Sequence, residues 1–178
     1  MRFASTVLPS LALAALLAAG CAGGSRAKGT VATGLPRHDE FFRRTQALLA
    51  RVERAEAAAQ SPLLRAPPAG VRIRIAGEGP EARVDVGGDA DPALLLRVVG
   101  AADDLAAAPP QMDAVPIEAA QLTAESKRLS IEVFGVPGSR GSRLRQAYGE
   151  ALRLLGELPE RARRAGAWSR QLLGLFRG

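Results

Sequence analysis

The sequence predicts an α+β fold: a mainly helical bundle carrying a small antiparallel β-hairpin or three-stranded sheet. Three observations predict it. Alanine and leucine dominate the 47% of residues that are hydrophobic, while aromatics make up only 4%, and both abundant types favour helices over sheets. Beyond residue 36, apolar residues recur mostly at three- and four-residue steps, the spacing of a helix with one buried face. Between Val71 and Val86 the spacing changes to two, that of a half-buried strand. A chain of 178 residues is one domain's worth.

The first helix is expected from about Arg37 to Gln60, with Pro36 just ahead of it and Asp39 and Glu40 near the positive end of its dipole. Phe41, Thr45, Leu48, Val52, Ala55 and Ala59 make one narrow apolar seam. Asp39 with Arg43 and Glu40 with Arg44 stand at the stabilising four-residue spacing. After the breaker stretch Ala66-Pro67-Pro68-Ala69-Gly70, Val71 to Ile75 and Ala82 to Val86 alternate strictly around Gly77-Glu78-Gly79-Pro80, the pattern of a hairpin. Its polar face presents Arg72, Arg74, Arg83 and Asp85. An isolated hairpin is marginal, so it must pack on something or gain a strand.

The β-branched stretch Ser130 to Val136 is the candidate third strand, with the end of the preceding helix as its alternative. Before it, Asp91 to Ala107 and Met112 to Leu129 read as two helices divided by Pro109-Pro110, with Leu94, Leu95, Val98, Val99, Ala102 and Leu105 lining one and Val115, Ala119, Leu122 and Leu129 the other. The last forty residues give a helix from about Ser142 to Leu158 and another from Pro159 to Phe176. Leu144, Tyr148, Ala151, Leu152 and Leu155 form one stripe, and Ala165, Trp168, Leu172 and Phe176 a second. Five helices and a hairpin follow.

Charge is unevenly placed. The formal +6 is carried by twenty-two arginines and only two lysines, Lys28 and Lys127. From Arg26 to Arg65 there are eight basic and four acidic residues, from Arg72 to Glu132 six and eleven, and from Arg140 to Arg177 nine and three. Basic ends around an acidic middle either pair within the folded domain or attract anionic headgroups. Nucleic acid is not an expected partner, because the basic stretches lack interleaved aromatics.

The N-terminus carries the most specific signal. Met1-Arg2-Phe3 is followed by an apolar run from Val7 to Ala19, broken only by Pro9 and Ser10, and then by Gly20-Cys21. A positive start, an apolar centre of about a dozen residues and small residues at a cleavage point describe a signal peptide, too short to span a bilayer. Leu17-Ala18-Ala19-Gly20-Cys21 resembles the lipobox of bacterial lipoproteins, in which small residues precede a cysteine that becomes the lipidated first residue of the mature chain. The resemblance covers this segment alone. It implies a signal peptide over residues 1–20, acyl chains such as palmitate on Cys21, and attachment to the membrane of the cell envelope. Cys21 is the single cysteine, so it has no intrachain disulfide partner, and acylation accounts for it. Ala22, in place of an aspartate, implies the outer membrane, facing the periplasm. Residues 21–35, rich in glycine and small polar residues, read as a tether reaching roughly 20 Å, and residues 36–178 as a single mainly helical domain.

No catalytic constellation, metal site or cofactor site is expected. The one histidine, His38, stands next to Asp39 and Glu40 at a helix start, a place more often solvated than ligating. Asp103-Asp104, Glu118 and Glu125 are the other acidic residues tested for acid–base work, and adjacent helical residues point about 100° apart. Gly135, Gly138 and Gly141 precede a helix but lack the lysine and hydroxyl pattern of a nucleotide loop. The sharpest candidate surface is the C-terminal helix, where Arg161, Arg164 and Arg170 accompany Trp168, Leu172 and Phe176, a combination suited to a membrane interface or a partner's groove. The expected function is a non-catalytic envelope lipoprotein acting as a binding or assembly module for an envelope partner.

Overall fold

The computed structural model describes residues 33–177. Its elements in order are α1 (Pro36–Ala59), the short α2 (Pro62–Arg65), β1 (Val71–Ala76), a 3₁₀ turn (Gly79–Glu81), β2 (Arg83–Gly88), α3 (Pro92–Phe134) and α4 (Gly138–Gly174). The fold is α+β and mainly helical. The expected signal peptide, Cys21 and residues 22–32 of the expected tether lie outside the described residues.

Three long helices form the body, and each carries a buried seam with the seven-residue repeat of a coiled coil. In α1 the seam is His38, Phe41, Thr45, Leu48, Val52, Ala55 and Ala59, all buried. In α4 it is Gly141, Leu144, Tyr148, Ala151, Leu155, Leu158, Ala162, Ala165, Ser169 and Leu172, again all buried. In α3 it runs from Val98 to Val133 with one three-residue step in place of four, between Met112 and Val115. Helix α3 lies antiparallel to the other two: Arg37 meets Glu132 while Arg51 meets Glu118. Helix α4 runs parallel to α1, since His38 meets Tyr148 and Glu56 meets Arg161.

These seams correct two expected breaks. Pro109 and Pro110 lie inside α3, and Pro159 lies inside α4. A proline within a helix removes one hydrogen bond and crowds the carbonyl four residues back, at a cost of about 3 kcal/mol. Here the seam runs on past the prolines: Leu105 and Met112 flank Pro109 and Pro110, Leu158 and Ala162 flank Pro159, and all four are buried. Each large side chain buried fully is worth about 1.5–3 kcal/mol, so the whole run of buried seam residues, and not one pair, holds α3 together through Pro109, Pro110 and Pro116. Two pairs of expected helices are therefore two single ones.

The hairpin is as expected, with Ile73 opposite Val86, Arg74 opposite Asp85 and Ile75 opposite Val84. The third strand is not present: Ser130 to Phe134 completes α3, because Val133 continues the seam of Ser126 and Leu129. The sheet has two strands. Its apolar face packs on the first half of α3 in a cluster holding Ile75, Leu64, Val98, Ala102, Leu105, Leu172 and Leu173. The outer edge of β1 is met instead by the end of the chain, where Ile75 N–H donates to the Phe176 carbonyl at 3.1 Å. A larger cluster, from Phe41 to Ala165, fills the rest of the bundle. The hairpin thus caps one end of the bundle, and the α3–α4 turn forms the other.

Candidate functional site

The end opposite the hairpin concentrates the polar chemistry. His38 of α1 and Tyr148 of α4 are each 3% exposed, and the Tyr148 hydroxyl lies 2.8 Å from His38 Nδ1. His38 Nε2 lies 3.2 Å from Glu132 Oε2 of α3, and Glu132 also accepts from Arg37 at 3.1 Å. One residue from each long helix therefore meets at one level. Burial, with the Glu132 and Glu125 carboxylates adding to it, pushes the Tyr148 pKa up to about 12. The phenol stays protonated at neutral pH and donates to Nδ1, and the carboxylate can only accept. In the neutral imidazole these partners place the proton on Nε2. Phe41 stacks on Tyr148 at 5.2 Å and Phe42 tilts against it at 5.0 Å, so the network is sealed by much of the chain's small aromatic content.

The chain enters the domain at the same end. Thr33 N–H donates to the Asp39 carboxylate at 2.6 Å, and Arg140 donates to the Thr33 carbonyl. Leu35 N–H donates to the Thr33 hydroxyl at 3.1 Å. The Thr33 backbone N–H holds the Asp39 carboxyl below the usual carboxylate range. The last residues of the expected tether are thus fixed to the bundle.

From this end a ladder of ion pairs runs up the α1–α3 interface. Arg37 pairs with Glu132, Arg44 with Glu125 at 2.7 Å and Arg51 with Glu118 at 2.5 Å. Each step is seven residues forward on α1 and seven back on α3, which is the geometry of flanking charges in an antiparallel coiled coil. Sequence reasoning weighed Glu118 and Glu125 for chemistry and missed this use. The signal was available, as arginines at 37, 44 and 51 and glutamates at 118, 125 and 132 share one spacing.

The remaining tested residues are dispersed. Asp103 and Asp104 are exposed on α3. Glu40 pairs with Arg43 at 2.6 Å, not with Arg44. Among the described residues no group of three or more His, Cys, Asp or Glu is placed to hold a metal ion. Gly138 adopts a left-handed conformation, φ 71°, and a Cβ on Gly141 would lie 2.0 Å from the Val136 carbonyl oxygen. Close turn geometry thus accounts for these two glycines.

On the C-terminal helix, Arg161 forms a two-bond pair with Glu56 at 2.6 and 3.0 Å, and Arg170 pairs with Asp113 at 2.5 Å. Leu172 is buried, and Phe176 packs on the hairpin cluster. Arg164 is exposed, and Trp168 is 39% exposed, beside a cavity of about 180 Å³ bordered by Ala59, Arg65, Gln171 and Leu175. The face expected to meet a membrane or partner is largely spent on closing the bundle. Between α3 and α4 lies an open groove of about 540 Å³, lined by small residues including Ala119, Ala120, Thr123 and Ala124, with Lys127 and Arg128 at one end. It brings together no acid and base.

No known family, curated protein or solved structure matches the chain. No helix among the described residues is long and apolar enough to cross a membrane.

Proposed function

We propose that the chain is a non-catalytic lipoprotein of the bacterial cell envelope, anchored through acyl chains on Cys21 and presenting its helical domain as a binding or assembly module. The observation that carries this reading is Leu17-Ala18-Ala19-Gly20-Cys21 at the end of an apolar run, in a chain with no other cysteine. Two or more acyl chains give lasting attachment, each buried methylene contributing about 0.8 kcal/mol. Ala22 favours the outer membrane, facing the periplasm.

The non-catalytic part rests on how the reactive side chains are used. Glu118 and Glu125 neutralise arginines, while His38 and Tyr148 satisfy one another inside the bundle. What the fold offers is a long, stiff body: the 43 residues of α3 span about 64 Å at a rise of about 1.5 Å per residue. Such a body holds a partner surface away from the anchor. A C-terminal helix acting as the membrane contact is the weaker reading, since Arg161, Arg170 and Leu172 have partners within the domain.

The test is mass spectrometry of the N-terminal peptide from the membrane fraction, comparing the native chain with Cys21→Ser. A di- or triacylated peptide beginning at Cys21, lost in the variant, is the expected result. An unmodified N-terminus in the soluble fraction overturns the anchor.

A further inference from the structure

We propose that the α3–α4 turn is a second membrane contact, an apolar tip ringed by basic residues that docks on the anionic surface of a lipid bilayer. Ile131 and Phe134 are 71% and 76% exposed, and they lie on one face of the last turn of α3, in line with Lys127. The turn that follows, Gly135-Val136-Pro137-Gly138, is uncharged. Large side chains this exposed at a helix end are covered by nothing among the described residues. In a membrane interface such groups sit about 5–10 Å deep, while neighbouring cations meet the headgroup phosphates.

The charge distribution selects the partner. Residues 36–44 and 125–145, which make up this end, hold eight basic and four acidic side chains. Residues 60–104 and 171–177, which build the hairpin, the start of α3 and the end of α4 at the other end, hold six basic and seven acidic. The domain is therefore polarised along its long axis. An anionic surface attracts the tip and not the nearly neutral hairpin end.

The tether sets which end faces the bilayer, and this step rests on the lipid anchor proposed above. Thr33 is fixed at the tip by Asp39 and Arg140, and Cys21 precedes it by twelve residues. Twelve residues span at most about 40 Å. That is shorter than the bundle, so the tip is the first surface the bilayer meets.

The test moves the only tryptophan to the tip. The full-length chain carrying Trp168→Phe and Phe134→Trp is compared with one carrying Trp168→Phe and Leu96→Trp, which marks the far end. Each is purified from expressing cells and mixed with vesicles of phosphatidylcholine alone or with phosphatidylglycerol added. The expected result is a blue-shifted emission, quenched by brominated lipid, at position 134 only and on anionic vesicles only. Replacing Lys127, Arg128 and Arg143 by glutamine weakens that binding about fivefold per charge removed.

No shift at 134, or an equal shift at 96, overturns the proposal. An equal shift on neutral vesicles overturns the anionic partner. A shift that follows protein concentration without lipid assigns the tip to a second copy of the chain and overturns the membrane. The mass of the N-terminal peptide from the same preparation reads the anchor independently. An acylated chain with a silent tip fails only this inference, and an unacylated chain with a responsive tip fails only the anchor.

Discussion

The hydroxyl of Tyr148 lies 2.8 Å from Nδ1 of His38, with both side chains inside the bundle and Glu132 holding the other ring nitrogen. A buried imidazole left without one partner costs more than the net value of a satisfied hydrogen bond. Tyr148→Phe keeps the ring stacked on Phe41 but removes the donor. Its expected effect is a loss of about 1–2 kcal/mol at pH 7, measured by denaturant unfolding.

The same pair gives a pH dependence with a defined sign. The folded protein raises the Tyr148 pKa from 10.0 to about 12, so the unfolded chain loses this proton first. Stability from this group is complete below pH 10 and is lost as pH rises toward 12. In Tyr148→Phe the decline over that window becomes shallower. An identical alkaline profile in the two proteins would remove Tyr148 as its source.

The ladder at the α1–α3 interface fixes register, and charge exchange tests it. Reversing one rung, Glu118→Arg, sets two cations side by side and costs about 1 kcal/mol. Restoring opposition with Arg51→Glu in the same chain recovers most of the loss, to within about 0.3 kcal/mol, if the two residues face each other. Both effects shrink in 1 M salt. A double variant no better than the sum of its singles would place Arg51 and Glu118 apart.

The fold was legible in the sequence wherever period alone decided it. The α1 seam from Phe41 to Ala59 and the strands around Gly77 to Pro80 were readable because no residue there opposes the pattern. Errors fell where a local rule outweighed the period. Proline rules divided α3 at Pro109 and α4 at Pro159, although the spacing of Leu155, Leu158 and Ala162 continues unbroken. β-branching drew Ser130 to Val136 toward a strand, although Val133 keeps the step from Leu129. The tip and the His38–Tyr148 pair were not legible, because they depend on how α1, α3 and α4 align end to end. Residue spacing within one helix carries that alignment only through the charge ladder.

Helix α4 is continuous through Pro159, so that proline is a cost carried by the surrounding packing. Pro159→Ala restores an N–H donor to the Leu155 carbonyl and relieves ring crowding. Stability is expected to rise by about 1–3 kcal/mol, seen as a higher melting temperature. A neutral or destabilising result would indicate that the helix ends there and restarts.

Ser169 offers a smaller gain. It occupies a seam position with no exposure, and its hydroxyl has no hydrogen-bond partner among the described residues. Ser169→Ala removes a buried polar group that nothing satisfies and keeps the small volume of the position. An increase of about 1 kcal/mol in unfolding free energy is expected, and a loss would reveal a partner for the hydroxyl.

Truncation before Pro159 separates the two roles open to the C-terminal half of α4. That segment supplies Ala162, Ala165, Leu172 and Leu173 to both clusters of the core, along with the Arg161 pair to Glu56 and the Phe176 carbonyl that meets Ile75. Without it, Leu64, Ile75, Val98 and Leu105 lose part of their cover, and each large buried side chain exposed costs about 1.5–3 kcal/mol. Several such losses equal the whole stability of a domain this size, about 5–15 kcal/mol. The expected outcome is that a chain ending at Leu158 shows no cooperative thermal transition by circular dichroism. A truncated chain that melts like the native one but no longer sediments with vesicles would instead make the segment a peripheral membrane element, and would transfer the membrane contact from the α3–α4 tip to Trp168 and its arginines.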